Sequence, residues 1–113
     1  MLNWINANRH EYRVQETLNL IFSNHPNLLE FLFDKQSPQL RLQPVRLLSE
    51  ASVFSSGEKI LVRVGLDLWN GSGQASLWDI VERLDIYNYQ SVLAGLRKLR
   101  RIDEVESGKT WRQ

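Results

Sequence analysis

Four basic residues crowd five positions near the end of the chain: Arg97, Lys98, Arg100 and Arg101. On a helix such a run can neutralise backbone phosphates, each contact steepening the salt dependence of binding. Upstream, Asn88, Gln90 and Ser91 are side chains able to hydrogen-bond base edges, and Asn and Gln suit adenine. Gln90, Ala94, Arg97, Lys98 and Arg101 share one helical stripe, with the base-reading types at its start. A recognition helix presents that end to the bases. The same basic run also fits a plainer reading. It can answer the helix macrodipole or the acids Asp103, Glu104 and Glu106 that follow it.

A second group carries a different chemistry. Trp78, Tyr87 and Tyr89 cluster just before that stripe. Aromatics placed at the boundary of a core anchor protein interfaces or simply pack at the core edge. Catalytic chemistry finds no comparable set. There are no cysteines, and neither His10 nor His25 has metal-ligand spacing. Gly71-Ser72-Gly73 follows a helical pattern rather than a strand, and Gly108-Lys109-Thr110 has no helix after it, so neither reads as a phosphate loop. No nucleophile and acid–base pair fall within reach of one another. The expectation is a protein that is not an enzyme, without catalytic residues, metal or cofactor.

Composition frames both readings. The chain has 113 residues, 42% of them hydrophobic and 24% charged, ordinary values for one globular domain able to bury a core. Fourteen basic against 13 acidic residues leave a net charge of +1. The isoelectric point of 8.1 is below the ~9 usual in dedicated nucleic-acid binders, so an electrostatic argument must rest on local clustering. The absence of cysteine suits a reducing compartment. The opening Met1-Leu2-Asn3-Trp4 lacks the features of a signal peptide, and no apolar run reaches membrane-spanning length. The expected location is cytoplasmic, away from membranes.

The elements that must position these residues follow from periodicity and punctuation. Val14, Leu18, Ile21 and Phe22 mark an amphipathic helix from Glu11 to Asn24-His25-Pro26. A short helix follows from Pro26, then a loop over 34–43, then a third helix with Pro44 in its first turn. Ser55 and Glu58 have capping-box spacing. The helix beyond them is apolar on nearly every side and ends at Asn70-Gly71, before a flexible Gly-Ser-Gly joint. Ser76 and Asp79 open the next helix, whose inward stripe is Leu77, Ile80, Val81 and Leu84. After a turn over 85–88, Asn88 caps a last helix with Val92, Leu93, Leu96 and Leu99 inward. Gly95, beside Ala94 and in line with Ser91, costs about 1 kcal/mol in a helix. It therefore marks close approach of another backbone, from this chain or a neighbour. Residues 1–10 form a docked tail or a helical turn, and 102–113 a small hairpin or a frayed tail. The whole chain, 1–113, reads as one all-α domain, an orthogonal bundle of about five helices.

Residues 76–111 resemble the winged helix-turn-helix superfamily. Leu77-Trp78-Asp79-Ile80-Val81-Glu82-Arg83-Leu84 is similar to its supporting helix, Ile86 to the apolar plug of the turn, and Val92, Leu93 and Leu96 to the second helix. Asp85 stands where the family favours glycine, and Val81 where it favours alanine. The stretch from Leu99 through the Ser107-Gly108-Lys109 turn to Trp111 resembles a cramped β-hairpin wing. The resemblance implies a DNA-binding regulator acting as a dimer. Asn88, Gln90 and Ser91 would then read bases, while Arg97, Lys98, Arg100, Arg101 and Lys109 hold phosphates. The alternative is a protein-interaction module, an adaptor, assembly subunit or inhibitor, with Trp78, Tyr87 and Tyr89 as anchors. Near-neutral charge favours that alternative.

Overall fold

A computed structural model describes the backbone of residues 1–107 and the side chains of residues 1–100. It is all-helical, and no regular strand forms among the described residues. The α-helices are α1 (Arg9–Ile21), α2 (Pro26–Leu32), α3 (Pro44–Glu50), α4 (Ser56–Asn70), α5 (Leu77–Arg83) and α6 (Ile86–Ser107), with a 3₁₀ turn over Ala51–Val53. No helix among the described residues is long and apolar enough to cross a membrane.

Local chemistry explains most of the boundaries. Asn8 caps α1 reciprocally with Glu11, its Oδ1 accepting from the Glu11 N–H at 2.8 Å while Glu11 Oε1 accepts from the Asn8 N–H at 2.9 Å. The helix therefore starts two residues before the position expected from its apolar stripe. Pro26 and Pro44 open α2 and α3, where a missing N–H costs nothing. Gly71 ends α4 at φ +79°, a conformation that favours glycine, and its N–H bonds back to Leu66 and Asp67.

Ser55 and Glu58 complete the capping box at the start of α4 (2.9 and 3.3 Å). The Ser55 backbone N–H, then its hydroxyl, hold the Glu58 carboxyl below its ordinary value of 4.5, and the charge of His25 acts in the same direction. A depressed carboxylate contributes stability that is present above the unfolded value and lost as pH falls through the lowered one. Glu58→Gln should thus be less stable than the parent at pH 7, and by a smaller margin at about pH 3. Urea titrations at the two values check this, and an equal gap at both would contradict it.

The buried apolar side chains form one cluster, centred on Leu18, Ile21 and Phe22 of α1, Leu29 and Leu32 of α2, Leu47 of α3, and Leu61, Val62 and Leu66 of α4. The first residues complete it as a docked strap. Leu2 and Trp4 are buried, and the Asn3 and Ile5 N–H groups donate to the carbonyls of Lys35 and Gln36 (2.9 and 2.8 Å). Trp4, Phe33 and Trp69 pack edge to face, with centroids 5.6–5.9 Å apart.

The longest helix, α6, packs along α1. The contact face is Asn88, Val92, Gly95 and Leu99, not the Val92, Leu93, Leu96 and Leu99 face expected from the sequence. Gly95 is the reason. A Cβ built on it would lie well inside 3.0 Å of Ile21 Cγ1, 2.9 Å from Ile21 Cδ1 and 3.3 Å from the Thr17 carbonyl oxygen. The neighbour that glycine accommodates is thus an internal helix. Rotating the helix to seat Gly95 turns Leu93 and Leu96 outward. The backbone of α6 stays helical through Ile102–Ser107, where the first strand of a hairpin was expected. Lys109 and Trp111, the rest of the expected wing, lie outside the described residues.

Candidate interaction surface

The stretch from Leu77 to Tyr87 departs most from the expected amphipathic order. None of the residues of α5 is buried. Ser76 caps the helix as its spacing required, its Oγ accepting from the Asp79 N–H at 3.3 Å. Of the stripe Leu77, Ile80, Val81 and Leu84, Leu84 is buried and Ile80 half-buried, while Leu77 is 80% exposed and Val81 also faces solvent. Trp78 beside them is 70% exposed. At the start of α6, Ile86 is exposed too, so it does not plug a turn, and Tyr87 is 73% exposed. Isolated apolar side chains at a surface are unremarkable, but here large ones recur on two consecutive elements.

A polar clamp holds this surface in place. The Asp67 carboxylate, on α4, accepts from the backbone N–H groups of Gly73, Gln74 and Ala75, each at 2.8 Å. Arg63, one turn earlier, donates to the Gly73 carbonyl at 2.8 Å. Gly73 is buried so tightly against α4 that a Cβ there would overlap the Arg63 carbonyl. The Gly71-Ser72-Gly73 joint, expected to be flexible, is instead fastened to α4 and fixes where α5 begins. Sequence reasoning passed over Asp67. Its signal was an acid near the end of an apolar helix, followed by a short glycine loop with orphan N–H groups.

The turn between α5 and α6 is Leu84-Asp85, shorter than expected. Asp85, not Asn88, caps α6: its Oδ1 accepts from the Asn88 N–H at 2.8 Å and its carbonyl from the Tyr89 N–H at 2.9 Å. Asn88 is buried, with its side-chain amide donating to Asp85 Oδ2 at 3.1 Å. It is therefore not displayed for base reading. Ser91 is half-buried beside Asn24, whose amide lies 3.4 Å from its hydroxyl. Gln90 alone of that trio points freely outward. Lys98 reaches across to Glu16 of α1 at 4.0 Å. Arg97 and Arg100 lie at the surface. Arg101 has only its backbone described. Tyr89 is half-buried against the core, which separates it from Trp78 and Tyr87.

Among the described residues, α5 packs chiefly on α4, and α6 on α1. No family model, no curated protein and no solved structure matches the chain. What this chain does must be read from its own surfaces.

Concave features offer less. A shallow groove along Leu40 to Arg46 has its cations already engaged. Arg41 donates to the Phe31 carbonyl at 2.8 Å, stacks over the Phe31 ring at 5.3 Å and shares Glu50 with Arg46. His10 is exposed, and His25 occupies the N-cap position of α2 without a side-chain capping bond.

Proposed function

We propose that the chain is a protein-interaction module whose docking surface is the outward side of α5 and the start of α6. The observation that carries this reading is the exposure of Leu77, Trp78, Val81, Ile86 and Tyr87 on elements held rigidly by the Asp67 clamp and the Asp85 cap. Large exposed aromatics on a fixed scaffold lose little entropy when covered, which is what an interface anchor needs. Near-neutral net charge suits a protein partner better than a phosphate backbone.

Site-specific photo-crosslinking in the cells that make the protein tests the proposal. A benzoylphenylalanine at position 78 or 87 is expected to give a discrete protein adduct, and one at the exposed Val53 of the 3₁₀ turn none. Trp78→Ala should stay within about 0.5 kcal/mol of parental stability, because the indole is mostly in water already. It should also suppress the adduct from position 87. Equal or absent adducts at all three positions would refute the surface. The duplex-DNA reading retains Gln90, Arg97 and Arg100 on the outward side of α6. Anisotropy of a labelled duplex at ~50 and ~200 mM salt decides it, and micromolar binding that collapses with salt would displace the proposal.

A further inference from the structure

The charges bordering the exposed apolar residues carry the argument one step further, resting on the interaction reading above. On α5 the apolar side chains Leu77, Trp78 and Val81 adjoin Glu82, which lies one helical turn after Trp78 and is exposed. On α6 the outward stripe of Ile86, Leu93 and Leu96 adjoins Arg97, one turn after Leu93 and also exposed. The neighbouring charges are committed elsewhere: Arg83 to Asp79 at 3.4 Å, Lys98 to Glu16 at 4.0 Å, and Asp85 to the cap of α6. Glu82 and Arg97 take no part in these pairings. From Ile86 to Arg100, α6 contains no carboxylate. The exposed apolar stripe of α5 is thus edged by an acid and that of α6 by a base.

We infer that the occupant of this surface is a second copy of the chain, paired about a two-fold axis that lays α5 of one protomer on the outward side of α6 of its partner. Each apolar stripe then covers the other. The Glu82 carboxylate of one copy meets the Arg97 guanidinium of the second, and symmetry repeats the contact. An isologous interface requires such self-complementarity, since every contact between two residues occurs twice. Packing α6 on α6 in parallel would instead bring Arg97 against Arg97, a like-charge juxtaposition that disfavours that arrangement.

Sedimentation equilibrium of the full chain from ~5 to ~500 μM tests the inference. The expected result is a reversible monomer–dimer equilibrium within that range. Trp78→Glu should be monomeric throughout, with the parental circular dichroism and thermal midpoint. Glu82→Arg and Arg97→Glu should each weaken the dimer about tenfold, because each opposes like charges. Combined, they should restore parental affinity to within about threefold, the signature of a direct pair. A monomer at all concentrations, a dimer indifferent to Trp78→Glu, or a double reversal as weak as the product of the two singles would overturn the inference. A monomer whose position-78 adduct contains a different protein would sink the second-copy partner and leave the interaction reading standing. A monomer with no adduct would remove both.

Discussion

Gly95→Ala is expected to destabilise the protein by about 1–2 kcal/mol, although the same change in an isolated helix would stabilise it by about 1 kcal/mol. The sign is decided by Ile21, which is fully buried and stands well inside contact distance of the added methyl group. Its Cγ1 is not the loose end of a side chain, so relief requires a new rotamer in a filled core or a shift of α6 away from α1. Gly95→Leu should cost about 3 kcal/mol, at the upper end of overpacking effects. Ile21→Ala removes the obstacle. That variant alone should lose about 2–5 kcal/mol through its cavity. In its background Gly95→Ala should lose most of its cost, because only the 3.3 Å approach to the Thr17 carbonyl then opposes the helix-propensity gain. Urea unfolding of the four proteins measures the cycle. Additivity of the two substitutions would mean that Gly95 is not the point of closest approach between α1 and α6.

Gly95 also shows what the sequence makes legible. A glycine inside an otherwise strong helix signals a close neighbour by its energetic cost, and the neighbour proved to be α1. Capping chemistry is equally local, so Ser55 with Glu58, Ser76 with Asp79, Pro26, Pro44 and Gly71 mark their boundaries from the chain alone. The all-helical class follows from these signals together with the apolar period of α1 and α4. Periodicity was less informative at the start of α1, where Asn8 and Glu11 decide the boundary and the apolar stripe begins only at Val14.

The surface was legible in its residues but not in its orientation. Trp78 and Tyr87 stand out as boundary aromatics, yet Leu77, Val81, Leu93 and Leu96 each lie on an apolar stripe and so read as inward. A stripe states that some surface must be covered, not that the same chain covers it. On α6, two stripes compete for α1, and the one with Gly95 permits the closer approach. On α5, the Asp67 clamp sets the helix down with Ile80 and Leu84 inward. Long-range hydrogen bonds of that kind leave no periodic trace. Asn88 leaves the expected base-reading set for a related reason. It has the residue type of a base reader, but three positions after Asp85 it also has that of a capping partner, and its burial beside Asp85 selects the second role.

Trp4→Ala is expected to have the largest effect of any single truncation, about 3–5 kcal/mol, a large fraction of the total stability of a domain of this size. Three separate interactions converge on this residue. Its ring packs edge to face with Phe33 and Trp69, each such pair adding about 0.5–1.5 kcal/mol beyond the area it covers. Its indole N–H donates to the Asp34 carbonyl at 2.9 Å, and its backbone N–H donates to the buried Gln15 side chain. Removing the ring opens a cavity between α1, the 33–40 loop and the end of α4, and leaves the Asp34 carbonyl without its donor. Trp4→Phe keeps an aromatic edge but loses the N–H, and should recover about half of the deficit. The consequence extends to the interaction surface. Trp69 lies one residue before the end of α4, and the Asp67 clamp on the loop leading to α5 lies two residues before Trp69. Amide hydrogen exchange in Trp4→Ala should therefore accelerate at Gly73, Gln74 and Ala75 as well as at residues 2–5. Unchanged protection at those three amides, or a loss of stability below about 1 kcal/mol, would show that the N-terminal strap rests on the core without supporting it.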